Sequence, residues 1–137
     1  MNSSLVTLLA FLAYVLATPE YTDEYMQVHD ICQADARYRI DDLSVFIELE
    51  TEKKPVSQVK FPSNFNAHMG CMYSNLGLFD KNGDIIIDIA ADKLKTFFFN
   101  PALAPQIVTA CGGIANESDD LDETSGLFYL CILDYFA

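Results

Sequence analysis

Four cysteines and two histidines carry most of the reactive chemistry this chain offers. Cys32, Cys71, Cys111 and Cys131 leave 38, 39 and 19 residues between successive thiols. A zinc site usually has two ligands within a few positions of each other, as C-x2-C or H-x3-H, because a single turn can then aim both. Here the two closest thiols are twenty positions apart. No metal is expected, and in an oxidising compartment an even number of thiols reads as two disulfides. With the thiols in bridges, His29 and His68 are the only imidazoles left, and no strand-turn-helix serine motif accompanies them. Neither catalysis nor a cofactor is expected. His68 flanks an apolar stripe and reads as a partly buried polar contact.

Two further motifs have plain readings. Asp80, Asn82 and Asp84 alternate like calcium ligands, but Ile85 and Ala91 stand where such a loop needs glycine and glutamate, so the segment reads as a turn. Asn116-Glu117-Ser118 is a glycosylation sequon in an expected surface loop.

The compartment is read from Met1–Ala17, which carries no charged side chain and an apolar run from Leu5 to Leu16. That run is too short to span a bilayer. With Val15 and Ala17 as small residues before a cut ahead of Thr18, it reads as a signal peptide over 1–17 and a secreted, extracellular domain over 18–137. The mature chain would hold 120 residues, enough for one core of modest size. Twenty acids against eight Lys and Arg leave a net charge of −12. Such a surface repels phosphate, so neither nucleic acid nor an anionic membrane is an expected partner.

Apolar spacing is helical almost throughout and predicts six helices. The first begins near Thr18, with Tyr21, Tyr25, Val28 and Cys32 on one stripe. Asp41 opens the second, which should bury Leu43, Phe46 and Ile47. A polar stretch from Thr51 to Pro62 reads as a loop. Ser63 caps the third, whose stripe is Phe65, Met69, Met72, Tyr73 and Leu76, with Cys71 on another face and Gly77 as terminator. Ile87, Ala90, Leu94, Phe97 and Phe98 lie on the fourth, which Asn100-Pro101 stops. The fifth runs from Pro105 to Gly112-Gly113 and buries Val108 and Cys111. The last spans Leu127 to Tyr135.

With these features the chain resembles the insect odorant-binding proteins, of the pheromone and general odorant carrier type. That family has six cysteines, with three residues between the second and third and eight between the fifth and sixth. Cys32, Cys71, Cys111 and Cys131 match the first, third, fourth and sixth, while Ala67 and Asp122 stand at the second and fifth. The stretch Gly70-Cys71-Met72-Tyr73 to Leu76-Gly77-Leu78-Phe79-Asp80-Lys81-Asn82-Gly83 is also similar. Two departures are a longer gap between Cys32 and Ala67, and a tail of only six residues after Cys131.

The resemblance implies an all-α, six-helix fold enclosing an apolar cavity, in the four-cysteine subgroup that lacks one complete bridge. It also implies Cys32–Cys71 and Cys111–Cys131 pairing, and hence looser coupling between the third and sixth helices. The implied function is a non-enzymatic carrier for odorants, pheromones or other small apolar ligands, monomeric or weakly dimeric, meeting a chemosensory receptor only indirectly. A secreted scavenger of biogenic amines or lipid mediators, as in related salivary proteins, is the alternative. A helical interaction protein with a solid core is a third reading. The cavity lining implied is Phe46, Met69, Met72, Tyr73, Leu76, Phe98, Val108, Phe128, Tyr129 and Ile132.

Overall fold

The computed structural model describes residues 19–137; the expected signal peptide lies outside them. Six helices follow in order: α1 (Asp23–Gln33), α2 (Ser44–Phe46), α3 (Phe65–Asn75), α4 (Ile87–Leu94), α5 (Ala104–Ala115) and α6 (Leu121–Leu133). Short single-turn pieces adjoin them, and the described residues contain no strand beyond two isolated bridges. α6 lies between α3 and α5, α4 packs on α5, and α1 packs on α3.

Local chemistry explains most of the boundaries. Thr22 caps α1 by accepting the Tyr25 N–H at 3.1 Å, with Asp23 and Glu24 favourably placed in the first turn. α1 therefore starts later than Thr18, and Tyr21 sits just ahead of it with its ring on Tyr25 and Phe97. At α3 no side chain caps the start, and Asn64, not Ser63, is the boundary residue. Gly77, at φ 76°, takes the chain out of α3 as expected.

Three expectations are corrected. α4 continues as a 3-10 turn over Lys95–Phe97, but Phe98 is extended and pairs with Phe136, so the helix stops short of it. α5 runs through Gly112-Gly113 to Ala115. Gly112 is a contact residue there, since a methyl group on it would come within 2.9 Å of Ile87 Cδ1. α6 opens at Leu121, six residues before Leu127, because the Asp120 carboxylate accepts the Glu123 N–H at 3.0 Å.

The second helix differs most. After one α-turn it widens into a π-helix over Ile47–Thr51. The buried face is Val45, Leu49 and Glu50, with Leu43 and Ile47 42% and 53% exposed and Phe46 half-buried.

The disulfides pair as the resemblance implies. Cys32–Cys71 ties α1 to α3 and Cys111–Cys131 ties α5 to α6. Between α3 and α6 the link is packing alone. Gly70 faces Asp122 and Gly126 faces Asn66, so the helices run antiparallel, with no room for a methyl group at either glycine unless the facing side chain moves. Ala67 and Asp122 line one surface groove there.

Candidate functional site

The residues expected to line a cavity separate into two groups. Met69, Met72, Tyr73, Leu76, Phe98, Val108, Phe128, Tyr129 and Ile132 are all buried in one continuous cluster. Tyr73 meets Phe128 edge-on at 5.6 Å between ring centroids. Phe46 alone of the ten lines the apolar cleft beside that cluster, which holds about 300 Å3.

Three elements build the cleft. From the segment just ahead of α1 and from α1 itself come Tyr21, Tyr25, Met26 and His29; from α2, its approach and the π-helix that continues it come Leu43, Phe46, Ile47 and Glu50; from α3 comes His68. Met26, Leu43 and Ile47 are apolar yet substantially exposed. Tyr25 and His68 are buried and Phe46 half-buried against them. Phe46 packs on the Phe65, His68 and Tyr129 rings, at 5.8, 5.6 and 6.1 Å. The larger groove near 590 Å3 between 36–45 and 60–64 has Arg37, Arg39, Asp41 and Asp42 in its wall. Such a lining cannot desolvate an apolar ligand as the smaller cleft can.

Glu50 is the exceptional residue of the cleft. It is 5% exposed, and both carboxylate oxygens accept phenolic O–H donors, Oε1 from Tyr21 and Oε2 from Tyr129 at 2.5 Å. Burial raises its pKa, opposed by the two hydroxyls and by the field of Lys53. The phenols respond in kind. Burial first, then the neighbouring carboxylate, keeps Tyr21, Tyr25 and Tyr129 protonated far above neutral pH.

His29 and His68 face each other with ring centroids 5.6 Å apart. Burial lowers the pKa of both; a backbone contact to Tyr38 opposes this at His68, and Asp30 opposes it at His29. His68 Nδ1 lies 2.8 Å from the Tyr38 carbonyl oxygen, which can only accept. In the neutral ring the proton is therefore on Nδ1, leaving Nε2 as a lone-pair acceptor.

Sequence reasoning missed most of this lining. Tyr21, Tyr25 and His29 do follow one another at i, i+4 and i+8, a signal that extends the α1 stripe past its cysteine face. Glu50 had no such signal, because its partners are 29 and 79 residues away. The other singled-out positions have structural contacts. Asp80 Oδ1 accepts the Asn82 and Asp84 N–H groups, building the turn, and Asn116 Oδ1 accepts the Ile85 N–H at 2.9 Å. Among the described residues no group of three or more His, Cys, Asp or Glu is placed to hold a metal. No helix among them is long and apolar enough to cross a membrane.

Searches among curated proteins and among solved structures found no match. The family model described as "PBP/GOBP family" matches residues 16–135, nearly the whole chain. Six helices, two bridges and that match together place the chain in the PBP/GOBP family, the insect odorant-binding proteins, with the four cysteines of its two-bridge form.

Proposed function

We propose that the protein is a secreted carrier that takes up small apolar molecules reversibly in the cleft among α1, α2 and α3, and moves them through extracellular fluid without chemical change. The observation that carries this reading is the cleft itself. It is an apolar space of about 300 Å3 with aromatic walls and Met26, Leu43 and Ile47 left exposed, within a family of binding proteins. Its volume falls at the low end of small-molecule sites, which run from about 300 to 1,000 Å3. Each ligand CH2 buried contributes about 0.8 kcal/mol, so a chain of ten carbons reaches micromolar affinity after the cost of association. The carrier acts as a monomer or weak dimer, and any receptor meets it indirectly.

Displacement of the fluorescent probe N-phenyl-1-naphthylamine by 1-decanol tests the reading. Ile47→Asp places a charge in the wall and should weaken displacement about tenfold or more, with little loss of stability at this exposed position. Failure of decanol and of a broad panel of alcohols, esters and acids to displace the probe would sink it.

A further inference from the structure

We infer that the preferred ligand of the cleft carries a protonated amine on its apolar body, with the nitrogen bound at Glu50 between aromatic rings. This rests on the carrier reading above and narrows it to a ligand class. The cleft carries a carboxylate and no fixed positive charge. Its nine lining residues include one carboxylate, two histidines and three tyrosine or phenylalanine rings, but no lysine or arginine. Of its two phenols, Tyr21 already donates to Glu50, and the Glu50 carboxylate can only accept.

Glu50 is satisfied in hydrogen bonds but not in charge. Among the described residues no lysine or arginine forms an ion pair with it. Lys53 acts on it only at a distance, its ammonium donating instead to the Ala137 carbonyl oxygen at 2.7 Å. A carboxylate taken out of water without a counter-charge is destabilising, and two neutral phenol donors offset only part of that. Each oxygen accepts one hydroxyl and keeps a second lone-pair direction open to an ammonium N–H. The charge-assisted bond so formed is stronger than any an alcohol could make at the same place.

The rings add to this. Tyr21 and Tyr25 pack with centroids 5.5 Å apart, and Phe46 shares the cleft with them. Their faces attract a cation within about 6 Å of the centroid. His68, also in the lining, holds its Nδ1 proton on the Tyr38 carbonyl and so adds no positive charge when neutral. A fatty-acid carboxylate, by contrast, would meet Glu50 as a like charge. The net charge of −12 adds long-range attraction for cations.

Three ligands matched in chain length separate the outcomes at pH 7.5: n-decylamine, 1-decanol and decanoic acid, each measured by calorimetry and by displacement of N-phenyl-1-naphthylamine. Decylamine should bind about tenfold or more tightly than decanol, with decanoic acid weakest. Glu50→Gln should bring decylamine to within about threefold of decanol. Glu117→Gln, an equal change in net charge at an exposed loop position, should leave the preference intact. The wild-type comparison does not depend on the Glu50 variant folding. Decanol binding as tightly as decylamine to the wild-type protein overturns this inference and leaves the carrier reading standing. A preference that survives in folded Glu50→Gln also overturns it. Failure of all three ligands to bind overturns both.

Discussion

The contact of α3 with α6 and the cleft that α3 shares with α1 and α2 lie close together but are built on different terms. At the first, glycines bring two helices close, and Met72, Tyr73 and Phe128 are fully enclosed. At the second, a π-helix interrupts regular packing, a carboxylate and two histidines are brought together, and apolar side chains remain open to water. Close packing favours one geometry and leaves a ligand nothing to fill. Unfilled apolar surface and a desolvated charge instead leave free energy that a ligand can recover. Substitution should expose that contrast most sharply. Phe128→Ala should lower stability by about 3 to 5 kcal/mol in chemical denaturation, whereas Leu43→Ala should cost under about 1 kcal/mol and act mainly on ligand affinity. Equal losses of stability at the two positions would erase the distinction.

A smaller effect tests the boundary between α3 and α6. The family's missing bridge would stand at Ala67 and Asp122, which line the same groove. Ala67→Cys with Asp122→Cys should form a third disulfide and add about 2 to 4 kcal/mol by restricting the unfolded chain. If opening between these helices admits ligand, the bridge should also slow exchange of a bound probe. Two new thiols that stay free in mass spectrometry would show that the positions do not correspond to the family's bridge.

The same contrast explains what was legible in the sequence. The α1 and α3 stripes were readable because Tyr25, Val28 and Cys32, and Phe65, Met69, Met72 and Tyr73, bury through unbroken helical periodicity. For that reason the apolar set expected to line a cavity is mostly the packed cluster: strong periodicity marks what is enclosed, not what is left unfilled. The cleft was harder to find because its residues break the pattern. Leu43 and Ile47 are apolar but exposed, Glu50 is charged but buried, and Ile47–Thr51 winds as a π-helix, which no 3.6-residue template carries. Gly112 misled for a related reason. Glycine ends helices often, yet here it serves close approach to Ile87.

The smallest effect concerns protonation, and it has opposite signs at two residues of one cleft. Burial lowers the folded-state pKa of His68 below the ordinary value near 6.5. The folded protein then binds this proton less readily than the unfolded chain, so the contribution is present above about pH 6.5 and is lost as pH falls through the lowered value. Glu50 is raised, so its contribution is present below its ordinary value near 4.5 and is lost as pH rises through the raised one. His68→Asn keeps a side-chain donor for the Tyr38 carbonyl but cannot take a charge. Urea unfolding from pH 7.5 to 4.5 should show less acid destabilisation in His68→Asn than in the wild type. Glu50→Gln should instead gain stability relative to the wild type as pH rises, because it removes a buried charge that forms only there. If both variants track the wild-type pH dependence, neither side chain is held away from its ordinary titration, and the cleft is electrostatically no different from the open surface around it.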